Sequence, residues 1–514
     1  MAGTAVPLGP FKGGMNNWSG QSTIGDDQLF LLENGEFDTD GTIVSRPAFT
    51  PEELTSPHTG VLNPLGYYTR SDGETFLVIA TGTDTQAYQL STQTWTQVWT
   101  SIAASFVQYD NKIVMCSESV AGAYWEAGTT TAVPTMPIAS QIVFYQERFW
   151  LFGVKGSSSA TTLWFSNLNV ISPPSSIFTF DTSNNFITVS RGDGQWITGL
   201  VADTNALIIF RSASTYQFTY PNAPASGTLR SLSKTIGAEN KWSYGFYENY
   251  YLVFSQGYLY QFINFRFYPL NTKKIIFSRG TLAGALLADI RVSIFGRRVV
   301  LWFYGSLYIY NLITATWSVW VSPTTSVAQL FTVPSASTTG QARSAICVTG
   351  ETNAAKQRLW RISDGVITVG AGEAFTLHII TKAYELNKSA QFKRLMWWAL
   401  EVLSASGAEG IAHPLTIPIS GVTWNQMSAT TWNQLSMGTW NNLLITQPTY
   451  DDNTVYPMAA PQQMTIKVRT AIRFLRTSFE VFLHLDGTAA TSPARIYSIT
   501  PYLKVKATVS GKVS

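Results

Sequence analysis

Apolar residues along this chain alternate with polar ones far more often than they recur at helical spacing. Between Lys241 and Tyr268, the residues Trp242, Tyr244 and Phe246 are separated by Ser243 and Gly245, and Tyr258, Tyr260 and Phe262 repeat the same period. Side chains on a strand point to opposite faces in turn, so this alternation predicts half-buried β-strands. Helical periodicity is nearly absent. Asp26 to Asn34 and Phe392 to Leu403 are the best short stretches, and the second reads equally well as a strand.

The strands recur in a degenerate repeat. Polar turns at Ser71-Asp72-Gly73, Asp110-Asn111, Gln146-Glu147, Asp203-Thr204-Asn205, Glu248-Asn249 and Gly296-Arg297 each precede an apolar run, such as Phe76-Leu77-Val78-Ile79 or Ile113-Val114-Met115-Cys116. Successive turns lie about 36 to 58 residues apart, the spacing of β-propeller blades. Several units close on Trp-bearing strands, Thr94 to Trp99 and Thr316 to Trp320, and a further unit runs from Ser326 to Gly365.

After Gly370 the strands lengthen (Phe375 to Tyr384, Lys393 to Ser404, Met464 to Leu485, Ile496 to Lys506), which predicts a β-sandwich. The expected fold is all-β. Residues 1–50 form an N-terminal arm and a first strand leading into the propeller; a β-propeller of six or seven blades occupies 51–370, and a β-sandwich occupies 371–514. An irregular insert at about 406–463 interrupts the sandwich. It carries a tandem repeat, Trp424-Asn425-Gln426, Trp432-Asn433-Gln434 and Trp440-Asn441-Asn442. A spacing of eight excludes a simple helix face and predicts short turns or rungs with stacked Trp. The insert reads equally as a contact loop and as a self-packed unit.

Composition sharpens this picture. Charged residues make up 13% of the 514 residues, about half the usual 25%, while Trp, Tyr and Phe number 17, 23 and 29. A net charge of +3 excludes a generally basic nucleic-acid coat. The most apolar stretch, Ile290 to Leu312, is broken by Arg291, Arg297 and Arg298, so no membrane span of about 20 apolar residues is expected. Met1 to Gly14 lacks the charged-then-apolar pattern of a signal peptide, which predicts synthesis and retention in a cytoplasm.

Candidate chemistry is sparse. Cys116 and Cys347 sit in apolar segments and read as buried thiols; His58, His378, His413 and His484 stand alone, without metal-ligand spacing. Asp38-Thr39-Asp40-Gly41 begins like a calcium loop, but Ala48 stands where the closing Glu belongs. Ser71 to Phe76 has the letters of a sialidase Asp-box at the wrong spacing, and Arg191-Gly192-Asp193 is a tripeptide common by chance. No phosphate loop, nucleophile elbow or Cys/His pair is present. These absences predict a protein that is not an enzyme and uses no cofactor.

Charge placement is more informative. From Gln463 to Ser514 the balance is +6, against −3 for the rest of the chain. Lys467, Arg469, Arg473, Arg476, Lys504 and Lys506 form a candidate basic strip, with Lys467 and Arg469 two apart on a strand, as are Lys504 and Lys506. The strip reads either as a sheet edge guarded by Lys against aggregation or as a surface facing DNA or an acidic partner. Aromatics are not interleaved with it, so base-specific readout is not expected.

Several segments carry a family resemblance. They are Gly13-Gly14-Met15-Asn16-Asn17, Asn34-Gly35-Glu36-Phe37, Asp40-Gly41-Thr42-Ile43-Val44-Ser45-Arg46-Pro47, Gln146 to Phe152 followed by Leu163-Trp164-Phe165-Ser166, and Leu207 to Phe218. In this pattern, from Gly13 to Lys506, the chain resembles the tail hub or nozzle proteins of short-tailed bacteriophages, including the packaged-DNA stabilisation proteins. The Trp-Asn insert has no counterpart there.

The resemblance implies a virion structural protein assembled in the host cytoplasm. Its subunits would form a ring, a homohexamer, of propeller-plus-sandwich units below a portal and adaptor. The ring would close the DNA exit channel, retain the genome, pass it on infection and carry tail fibres or spikes. Double-stranded DNA would be contacted without sequence specificity, and ring symmetry would multiply the field of a modest basic strip. The alternative is a carbohydrate-binding propeller for host glycan, with Trp424, Trp432 and Trp440 as sugar platforms. A glycan-cleaving enzyme would need a carboxylate pair.

Overall fold

Each polar turn of the repeat reverses the chain between the first two strands of an antiparallel sheet. Asp110, Gln146, Glu147 and Glu248 adopt positive φ (50°, 46°, 58° and 52°), as do Gly73 and Gly296 (90° and 55°), the backbone shape that tight hairpins demand. The computed structural model describes residues 4–505 apart from 53–61, 271–289, 334–343, 350–357, 364–374, 383–392, 417–455, 486–494 and some shorter breaks.

The described strands build seven blades of four antiparallel strands, at 63–99, 105–132, 141–188, 197–233, 244–269, 291–321 and 327–363, the last completed by Phe49–Glu52. The first strands of the blades line the axis, and Val327–Val333 of blade 7 lies against Asn63–Thr69 of blade 1, closing the circle. Blade 7 takes its outermost strand from the N-terminal region: Phe49–Glu52 pairs antiparallel with Arg358–Ser363.

The apolar runs after the turns are the second strands, and packing explains why they lack alternation. In blade 3, Phe149 and Leu151 join the core shared with blade 2, whereas Trp150 and Phe152 join the core shared with blade 4. In blade 2, Ile113 and Met115 face blade 1 while Val114 and Cys116 face blade 3. A strand buried on both faces must be apolar at every position.

Beyond the ring the strands form two further sheets, each combining the two ends of the chain. One orders Gly35–Phe37, Ile43–Ser45, Arg495–Val505, Lys393–Leu403 and Gln463–Phe474, with Thr4–Ala5 paired to Arg495–Val505. The other extends blade 6: Thr316–Val321 is followed by Gln28–Glu33, Phe375–Thr381, Thr477–Leu485, Ala408–Thr416 and Tyr456–Met458 in a ten-stranded sheet. Leu29, Leu32, Leu377, Ile379 and Val481 of this sheet share one core with Phe37, Ile43, Ile496 and Ile499 of the first.

Three local expectations are revised. Asp26 to Asn34, the best helical stretch, contains the strand Gln28–Glu33, which pairs antiparallel with Phe375–Thr381; long-range pairing overrides local periodicity. Phe392 to Leu403 resolves as the strand Lys393–Leu403. Trp242 continues the alternation of blade 5, yet that strand starts at Tyr244 (Tyr244–Tyr247) and Trp242 lies in the loop before it. Among the described residues the helical element is a single turn, Pro224–Ser226, and no helix is long and apolar enough to cross a membrane.

Candidate functional site

The basic strip falls on the sheet that mixes the chain ends. Lys467, Arg469 and Arg473 lie on Gln463–Phe474 and Lys504 on Arg495–Val505, and Lys393–Leu403 runs between them. Arg394 stands opposite both Arg473 and Lys504 in the register, so three basic positions form one cross-strand row. Arg394 was missing from the sequence-derived strip because it is distant in sequence; the adjacent pair Lys393-Arg394 opening a strand was the available signal. Arg476, Lys506, Trp424, Trp432 and Trp440 lie outside the described residues.

The motif residues Asn34 and Arg46 form the joint between propeller and terminal sheets. Asn34 sits at φ 56° and is buried. Its Nδ2 donates to the Thr376 carbonyl (2.8 Å), and its Oδ1 accepts from Val321 N and Arg46 Nε (both 2.9 Å). Its backbone N–H reaches the Val319 carbonyl at 2.7 Å. One side chain thereby ties blade 6, the approach to blade 7 and Phe375–Thr381 together.

Arg46 is fully buried, its guanidinium held 4.6 Å from the Phe49 ring centroid and 4.1 Å from that of Phe375, a desolvated cation–π sandwich. Arg298 Nε of blade 6 donates to Glu36 Oε1 at 2.6 Å and adds an ion pair to the same joint. Gly35 permits it: a Cβ there would stand 2.6 Å from Leu377 Cδ1.

A second constellation ties together residues at the starts of blades 2, 3, 4 and 5. Lys241, in the loop before blade 5, sends its Nζ across to the carbonyls of Ala104 (2.8 Å) and Ser140 (3.0 Å) and to Glu118 Oε1 (3.3 Å). Three acceptors satisfy the three donors of an ammonium withdrawn from water. Nearby, Gln141 Nε2 donates to the Tyr244 hydroxyl at 2.9 Å, that hydroxyl to the Leu200 carbonyl at 3.0 Å, and Leu200 N to Gln141 Oε1 at 2.9 Å. Blades 3, 4 and 5 are cross-linked at the axis, and burial pushes the Tyr244 phenol well up. Gly199 admits the Tyr244 ring, since a Cβ would meet it at 2.4 Å.

Around Lys241 opens a cleft of about 390 Å³, within the range of small-ligand sites. Trp196, Thr198, Trp242 and Arg291 line it from the starts of blades 4, 5 and 6. Lys155 Nζ stands 4.5 Å from the Trp196 ring, and Arg291 Cζ 5.7 Å from that of Trp242. Glu118 and Glu239 supply carboxylates; burial raises the Glu239 pKa, offset in part by the backbone N–H of Gln256. Sequence reasoning missed this site because its residues come from separate repeats. Among the described residues no group of three or more His, Cys, Asp or Glu stands together as a metal site.

No protein-family model matches the chain, and no curated protein matches it in sequence. Similar solved structures include the computationally designed Ika8 protein (11% identity, 68% of this chain and 98% of that one, TM-score 0.37). The WD40 β-propeller domain of Doa1 aligns at 9% identity over 62% of this chain and 97% of its own, with a TM-score of 0.40. A catalytically inactive virginiamycin B lyase from Staphylococcus aureus, with quinupristin, aligns at 8% identity over 61% and 99%, with a TM-score of 0.41. The propeller assignment rests on the strand pairing itself.

Proposed function

We propose that this chain is a non-enzymatic structural subunit of a short-tailed phage tail, a hub or nozzle component that assembles into a ring around the exiting DNA. The observation that carries this reading is the ten-stranded sheet that runs from blade 6 through Gln28–Glu33 into the C-terminal strands. A propeller joined to its neighbour by shared strands and a buried Asn34–Arg46 node transmits force as one body, unlike domains on a flexible linker. In this reading the DNA runs between subunits of the ring. The row Arg473, Arg394 and Lys504, repeated by rotation, supplies the sequence-independent field that such a channel needs.

The test is negative-stain microscopy of the purified protein mixed with portal–adaptor complexes. The expected result is a ring added below the adaptor. A protein that stays monomeric and never decorates the complex overturns the reading.

A further inference from the structure

We infer that one face of the ten-stranded sheet is a pH-sensitive latch, in which paired histidines and glutamates hold the C-terminal strands to the propeller in mild acid and release their grip above neutrality. This inference does not depend on the tail assignment. The strands Gln28–Glu33, Phe375–Thr381, Thr477–Leu485 and Ala408–Thr416 carry no Lys, Arg or Asp. Their titratable residues are three of the chain's four histidines and three glutamates.

Register brings all six to one face. Glu33 stands opposite His378, Glu480 opposite His413, and Glu409 opposite His484. His378 in turn stands opposite Phe482, which lies between Glu480 and His484 along its strand. Positions two apart on a strand share a face, so each histidine has a glutamate directly across from it. The opposite face is apolar: Leu32, Leu377, Ile379 and Val481 belong to the core shared with the first terminal sheet.

The pair nearest the propeller shows the contact: His378 Nδ1 lies 3.0 Å from Glu33 Oε2, with both side chains partly exposed. From blade 6, Tyr308 comes near Glu33; burial, then the Glu33 charge, pushes its phenol up, so it stays neutral. Lys382, just past the end of Phe375–Thr381, is engaged by Asp26 at 2.7 Å. The cation set across from Glu33 is therefore protonated His378.

An imidazole ordinarily titrates near about 6.5, and a carboxylate gained on folding favours its charged form. The stability such a pair contributes is complete below that ordinary value and is lost as pH rises through the higher folded one. With the imidazoles protonated the charge of the face is balanced; with them neutral, three carboxylates remain without a counter-charge.

The test is hydrogen–deuterium exchange of the full chain from about pH 6 to about pH 8, corrected for the intrinsic pH dependence of amide exchange. Phe375–Thr381, Thr477–Leu485 and Ala408–Thr416 are compared with Arg148–Phe152 of blade 3 as an internal reference. Relative to that reference, protection of the three strands should fall at least about fivefold as pH rises. His378→Gln, which keeps a hydrogen-bonding side chain but cannot take up a proton, should reduce the fall. His378→Gln, His413→Gln and His484→Gln together should abolish it. Should the combined variant fail to fold, each single His→Gln variant carries the same test and should reduce the fall. A protection ratio that is constant or rises with pH, or a fall that the His→Gln variants leave unchanged, overturns the proposal.

Discussion

Arg211 shows how a single buried residue sets a pH dependence. Its guanidinium is fully buried and donates to both carboxylate oxygens of Asp193 (2.7 and 2.5 Å) and to the Gln195 carbonyl (2.8 Å). The hydrogen bond from Arg211 holds the Asp193 carboxyl down to about 2, so the Asp of the Arg191-Gly192-Asp193 tripeptide is committed to a structural pair. A depressed carboxyl pKa contributes stability that is present above the unfolded value of about 3.9 and is lost as pH falls through the folded one. Urea melts of the wild type should therefore lose stability between about pH 4 and pH 2, and Asp193→Asn should flatten that slope. At neutral pH the variant should be less stable by about 1 to 3 kcal/mol, since Asp193 is partly exposed and screened while Arg211 is left buried. An unchanged slope would show that the pair does not govern acid stability.

At the scale of elements, the joint is the most consequential contact. Asn34→Ala removes three side-chain hydrogen bonds whose partners lie on three different strands or loops. Leaving buried groups such as the Arg46 guanidinium without Asn34 should destabilise by about 2 to 4 kcal/mol. Calorimetry should show more than the lost stability. The propeller and the terminal sheets, which share strands in the wild type, should unfold in separate transitions once the node is cut. A single cooperative transition at lower temperature would mean that strand pairing alone couples the two parts.

Over the whole molecule, the cross-strand row of Arg473, Arg394 and Lys504 carries the expected contact with DNA. Replacing all three by Gln should weaken binding to duplexes of unrelated sequence equally. Each lost phosphate contact should reduce the slope of log K against log salt by about 0.9. The measurement is fluorescence anisotropy of labelled duplex from about 50 to 200 mM salt with the assembled ring. An unaltered slope would show that the row does not contact DNA.

The six turns and the buried second strands that follow them were legible because each is local. Glu248 or Asp110 reverses the chain within two residues, and Leu207-Ile208-Ile209-Phe210 is apolar throughout because both neighbouring blades cover it. Pairings across the length of the chain left no such mark. Leu29 pairs with Thr381 and Phe49 with Ile362, so neither the ten-stranded sheet nor the strand that closes blade 7 shows in any window of sequence. The cleft was hidden for the same reason: Lys155, Trp196, Lys241 and Arg291 belong to separate repeats and meet because the ring closes. The sequence by itself determined the all-β character, the blade period and the apolar second strands, through side-chain alternation and turn chemistry. Only the tertiary structure decided where the two ends interlock and which loop residues converge on the axis, because those depend on which distant strand edges pair.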